Sequence, residues 1–146
     1  MLFAAVLSAI VTRDVTLLDT NIISDLVRNP QGLAATRLRA VGDADVVTSV
    51  VVAGELRYGC LKKGSARLTE RVEAVLREID VLGLDPPAAA IYGAIRSRLE
   101  SEGQTIGQND LWIAAQAQAL GATLVTDNER EFRRVEGLAV ENWLAA

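Results

Sequence analysis

The chain has no histidine and only one cysteine among its 146 residues. Without an imidazole, no Ser-His-Asp or Cys-His triad can be built, and the side chain best suited to relaying protons near neutral pH is missing. Without Cys/His ligand sets, neither a structural zinc site nor a deaminase-type zinc centre can form. One cysteine closes no internal disulfide, which fits a reducing compartment and an expected cytoplasmic location. Aromatic residues are few, with two each of Trp, Tyr and Phe, and there are three prolines. No Pro/Gly/Ser-rich linker divides the sequence and no internal repeat is present. The apolar opening from Met1 to Val11 follows no Lys or Arg, which argues against a secretion signal. It also falls short of the roughly 20 apolar residues a membrane span requires.

What remains is a hydrophobic chain rich in carboxylates. Half of its residues are hydrophobic, and the length suits a single domain with a real core. Asp and Glu number 19 against 15 Lys and Arg, for a net charge of −4. Any metal site must be made of oxygen, which selects a hard cation such as Mg²⁺, with Mn²⁺ as substitute. The acidic balance argues against a protein that coats duplex DNA, but an acidic cleft can sit beside a local basic patch. Arg37, Arg39, Lys62, Lys63, Arg96 and Arg98 read mainly as solvated helix faces.

Short β-branched runs alternate with helical periodicity. Val15–Leu18, Val46–Thr48 and Leu124–Thr126 read as buried strands, Val81–Leu84 as a short strand and Leu138–Val140 as the last one. Helices are expected over Ile22–Arg28 and Leu33–Val41, from Ser49 to Gly64, and around Leu68–Ile79. Further helices are expected from Pro86 to Gly103, from Gln108 to Leu120, and from Asp127 to Arg134. This alternation implies an α/β three-layer sandwich with a mostly parallel central sheet. Residues 15–146 form the expected domain, preceded by residues 1–14 as an extension or a misassigned start.

Ligands of such sheets bind beyond the carboxyl ends of the strands. Asp19 follows the first strand, and Asp127 follows Leu124–Thr126. Glu55 lies about two turns into the helix after Val46–Thr48, and Asp110 stands in the first turn of its helix. Singly, each has a plain structural role: Asp19, Asp110 and Asp127 as helix caps or dipole partners, Glu55 as a solvated residue. Together at the strand ends, they repel one another unless a divalent cation offsets the charge. Such a cluster suits in-line attack of water on a phosphodiester.

The segments carrying these acids resemble the motifs of PIN-domain ribonucleases. Leu17-Leu18-Asp19-Thr20-Asn21-Ile22-Ile23-Ser24 is similar to their opening motif, Thr48–Gly59 to the second and Ile106–Ala115 to the third. Thr123–Phe132, with Val135–Leu138 and Val140–Trp143, resembles the C-terminal segment of VapC-type toxins. The resemblance implies a Mg²⁺- or Mn²⁺-dependent endoribonuclease, the toxin of a type II toxin–antitoxin pair. It carries over Asp19, Glu55 and Asp110 as metal-site acids. Asp127 is chosen over Asn128 for the fourth position because it is charged. Thr20, Asn21, Thr126 and Asn128 are the supporting residues. It also implies an RNA substrate, a VapB-type antitoxin partner, a homodimer and no membrane association. The antitoxin is expected to lay an apolar helix in a groove presenting Leu26, Leu56 and Tyr58. The alternative function is a PIN-fold module that grips RNA without cutting it. Gln108 stands where relatives often carry proline and Gln116 where many carry histidine, departures that bear on substrate preference. Trp112 and Trp143 read as packing residues and Cys60 as a buried filler.

Overall fold

The structure, a computed structural model, describes residues 14–41 and 45–145. The extension expected over residues 1–14 lies outside the described residues except for Asp14, which is exposed. Five strands form the sheet: β1 (Val15–Leu18), β2 (Asp45–Ser49), β3 (Asp80–Leu82), β4 (Thr123–Val125) and β5 (Ala139–Glu141). Between them run α1 (Thr20–Arg28), α2 (Leu33–Ala40), α3 (Val50–Lys63), α4 (Ala66–Glu78), α5 (Pro86–Ser101), α6 (Gln108–Leu120) and the single turn α7 (Glu129–Phe132).

Each strand pairs parallel to its neighbours, in the order β3-β2-β1-β4-β5. The sheet is thus wholly parallel, where the sequence implied mostly parallel. Crossovers from β1 to β3 travel one way and those from β3 to β5 travel back. The right-handed rule for such crossovers puts α1–α4 on one face and α5 and α6 on the other. Packing agrees, with α1 against α3 and α4, and α5 against α6. Leu17, Leu18, Leu124 and Val125 of the two central strands are fully buried, as strands covered on both faces must be. Ile22, Ile23, Val52, Ile113 and Phe132 close over them.

Element ends moved by a residue or two from their sequence positions. Helix α1 begins at Thr20, because Asp19 is its N-cap and accepts from the Thr20 amide at 2.8 Å. Strand β3 stops at Leu82 and β5 is shifted one residue onward. Helix α7 stops at Phe132 rather than Arg134. Ser49 and Ser65 cap α3 and α4, while Gly64 and Gly121 end α3 and α6 in the left-handed conformation at φ of 65° and 64°. That conformation favours glycine because a side chain would meet its own backbone.

Trp143 is buried and Trp112 stacks on Tyr92 with ring centroids 3.9 Å apart, so both are packing residues, as is the buried Cys60. Leu26 and Leu56 are 8% and 6% exposed and belong to the core rather than presenting themselves on a surface; Tyr58 alone of that trio is exposed. They are the inward-facing residues of α1 and α3, which the periodicity could not assign to a particular neighbour. Among the described residues no helix is long and apolar enough to cross a membrane.

Candidate active site

The strand order changes direction between β1 and β4, and the crevice outside their carboxyl ends is where ligands of open parallel sheets bind. Asp19 stands at that point. Its amide continues the ladder, donating to the Val125 carbonyl at 2.9 Å, so the backbone carries the side chain just past the sheet edge. The carboxylate is 4% exposed. Oδ1 accepts from the Thr20 amide, and Oδ2 accepts from the fully buried Thr126 hydroxyl at 2.7 Å. Burial raises the Asp19 pKa, hydrogen bonds from Thr126 and Thr20 oppose that rise, and the charge of Glu55 adds to it.

Thr20 links two of the acids. Its amide serves Asp19 while its hydroxyl donates to Glu55 Oε1 at 2.8 Å, across from α1 to α3. Beneath, the Thr48 hydroxyl donates to the Leu18 carbonyl at 2.7 Å and ties the end of β2 to the end of β1. Asp110 enters from the first turn of α6. Its pKa is pushed up to about 7, first by burial and then by the negative charges of Asp19, Glu55 and Glu131. Asp19 and Glu55 are thus joined through Thr20, and both lie near enough to Asp110 for their charges to raise its pKa.

Asp127 does not join them in the same way. It is exposed, its amide donates to Asn21 Oδ1 at 2.9 Å, and its Oδ1 accepts from Asn142 Nδ2 at 3.1 Å. Asn142 also donates to Glu129 Oε2 at 3.0 Å, so Asp127 belongs to a polar network on the rim. The fourth acid whose charge reaches Asp110 is Glu131 on α7, and Glu131 was not singled out from the sequence. A signal was present: Asn128 and Glu131 have the spacing of N-cap and N3 residues at a helix start, although the reciprocal backbone bonds of a capping box do not form. Here Asn128 Nδ2 donates to Glu131 Oε2 at 3.1 Å, and the Asn128 amide donates to the Thr126 hydroxyl at 3.0 Å. Thr126 thus orients Asp19 directly and the Asn128–Glu131 pair through its oxygen. All four supporting residues make hydrogen bonds to the acids or to their holders.

Of the two departures, Gln116 lies elsewhere. It is buried on α6 and donates through Nε2 to the Leu82 and Gly83 carbonyls, both at 3.1 Å, pinning the end of β3. Gln108 opens α6 beside Arg96 and Leu99 of α5.

The family model describing the PIN domain matches residues 16–138. The chain belongs to the PIN-domain family. Among members of known name, it is 36% identical over 129 residues to ribonuclease VapC2 of Haemophilus influenzae, an alignment covering 88% of this chain and 97% of that one. It is likewise 36% identical over 131 residues to the tRNA(fMet)-specific endonuclease VapC of Shigella flexneri, covering 87% and 96%. Its fold matches the PIN protein in the crystal structure of VapBC2 from Rickettsia felis bound to a DNA fragment from its promoter. There the TM-score is 0.82 at 32% identity, over 88% of this chain and 98% of that one. The acids of this PIN domain are all oxygen donors and carry mutually repelling charge, which fits a hard divalent cation. Among the described residues, no group of three or more acids is placed to hold a metal ion as the side chains stand.

Proposed function

We propose that this PIN domain is an endoribonuclease that hydrolyses RNA phosphodiester bonds and acts as the toxin of a VapBC-type toxin–antitoxin pair. The observation that carries the reading is the set of four acids, Asp19, Glu55, Asp110 and Glu131, at the crevice beyond β1 and β4, with the Asp110 carboxyl raised to about 7. A cluster held at such electrostatic cost calls for a positive charge that the protein itself does not supply. The names of the relatives support RNA as substrate, and the VapBC complexes among its fold neighbours support a VapB-type antitoxin and a paired assembly.

Asp19, Glu55 and Asp110 would hold Mg²⁺ or Mn²⁺ partly through bound water, with Glu131 beside them. A few carboxylates with water and substrate phosphate completing the set is the usual arrangement for Mg²⁺. When bound, the cation supplies Lewis-acid stabilisation of charge building on the phosphate oxygens. The chain's own contribution is positional. Thr126 and the Thr20 amide fix both oxygens of Asp19, the Thr20 hydroxyl holds Glu55, and Asn128 holds Glu131. With the carboxylates pre-set, little reorganisation is required as charge develops. Asp127 acts on the rim, ordering Asn21 and Asn142 around the mouth.

The test is cleavage of bulk RNA by purified protein with and without metal. Chelation should stop cleavage, Mg²⁺ or Mn²⁺ should restore it, and Asp19→Asn or Glu55→Gln should abolish it while preserving the fold. RNA bound but not cut by the metal-loaded wild type would support the non-cleaving alternative instead.

A further inference from the structure

A groove of about 240 Å³ leads away from the acids between α1, α3 and α4. Thr20 and Glu55 form its inner end, so it opens directly from the site. Two helix ridges make its walls. On α1 they are Thr20, Ser24 and Arg28; on α3 they are Glu55, Gly59 and Lys63. Each series has four-residue spacing, which keeps it on one helix face. Eight residues at 1.5 Å rise put the outer end about 12 Å from the inner one. Val27, Leu56, Cys60 and Val72 form an apolar floor.

The groove is charged oppositely at its two ends. At the inner end stands Glu55; at the outer end stand Arg28 and Lys63, the last residues of α1 and α3. Neither makes an ion pair or hydrogen bond among the described residues, whereas Arg57, Arg96, Arg98 and Arg133 all have acidic partners. The midpoint of the α3 wall is glycine. A Cβ built at Gly59 meets nothing within 4 Å, so neither packing nor backbone geometry demands the missing side chain. A glycine inside a helix costs about 1 kcal/mol relative to alanine, and here its local effect is to leave the channel open.

We propose that this groove is a substrate subsite for single-stranded RNA, binding the nucleotide next to the scissile phosphate. Its base or ribose lies on the Val27–Leu56–Cys60 floor, and the neighbouring phosphate is held by Arg28 and Lys63. The inference rests on the ribonuclease reading of the acids. An apolar floor would also accept a peptide, but two unpaired cations about 12 Å along the helices from the acids favour a strand whose phosphates run from one end to the other.

The experiment measures binding of a short, labelled, mixed-sequence single-stranded oligoribonucleotide by fluorescence anisotropy, in the cleavage-blocked Asp19→Asn background. Gly59→Leu fills the channel and should weaken binding about tenfold, whereas Gly59→Ala should bind almost as the parent does. Arg28→Ala with Lys63→Ala should lower the slope of log affinity against log salt by about 0.7, the value for one lost phosphate contact on a single strand. Thermal melts check that each variant is folded; the glycine substitutions should melt no lower than the parent. A parent that binds RNA with affinity and salt slope unchanged in these variants overturns the subsite alone. A parent that binds no RNA, paired with a wild type that cuts none, overturns the ribonuclease reading as well. A labelled amphipathic Leu/Glu peptide is the counter-probe. Its loss on Gly59→Leu, with the oligoribonucleotide still bound, would assign the groove to a protein partner and refute the proposal.

Discussion

Replacing Asp110 by asparagine should stabilise the metal-free protein while destroying its activity. The carboxyl has a pKa of about 7 in the folded chain against an ordinary 3.8, because burial and the charges of Asp19, Glu55 and Glu131 all disfavour its ionisation. At about 1.36 kcal/mol per pH unit, that difference sets a ceiling of about 4 kcal/mol. The side chain is only partly buried, and solvent screening reduces the expected figure to about 2 kcal/mol. The sign follows from proton linkage. Below about pH 4 the carboxyl is protonated in both states and costs nothing. Between about pH 4 and pH 7 the unfolded chain releases the proton while the folded chain keeps it, so stability falls as pH rises. Above about pH 7 both are ionised and the full penalty is present. Urea melts in chelator across this range should therefore show Asp110→Asn gaining on the wild type as pH rises, reaching about 2 kcal/mol near pH 8. That corresponds to a melting temperature higher by about 4–8 °C for a domain of this size. Saturating Mg²⁺ should reverse the order, since ligand at a hundredfold over its Kd adds about 2.7 kcal/mol to the binding-competent protein. A variant that is less stable than wild type at every pH, or equally stable across the range, would refute the crowded-carboxylate account of the site.

Other substitutions probe separate parts of the arrangement. Glu131→Gln should reduce cleavage far more than Asp127→Asn, measured as kcat on the same RNA; the reverse order would return the fourth position to Asp127. Thr126→Val removes the donor to Asp19 and leaves the Asn128 amide without its acceptor. It should lower stability by about 1–3 kcal/mol, and rate assays should show a fall in cleavage with the fold retained. Exhaustive chelation should abolish cleavage, and restoration should follow Mg²⁺ or Mn²⁺ in a metal titration; activity persisting in chelator would exclude the metal-dependent reading. Gly121→Ala forces a side chain into the left-handed conformation at φ 64° and should cost about 1 kcal/mol in a thermal melt without altering kcat.

The alternation of strands and helices was legible along the chain because its causes are local. The short apolar runs around Val15–Leu18 and Leu124–Val125 read as buried strands, and Ser49, Gly64, Pro86 and Gly121 mark helix ends by backbone and capping chemistry that acts within a turn. The positions of Asp19, Glu55 and Asp110 on their elements were legible for the same reason: each occupies a fixed place relative to a strand end or a helix start. The absence of histidine had already confined the chemistry to oxygen ligands. What those signals leave open is the order of strands in the sheet, since parallel pairing is decided by which faces pack across the whole core. Only that order puts β1 beside β4, brings the Thr126 hydroxyl onto Asp19, and makes residues 107 positions apart partners. The same closure distinguished Glu131 from Asp127. The two are four residues apart and both acidic, but the turn of α7 directs one charge toward Asp110 while Asn142 on the adjoining β5 exit engages the other. Local sequence set where each carboxylate sits on its own element; the long-range packing of β4, β5 and α7 set which of them share a single electric field.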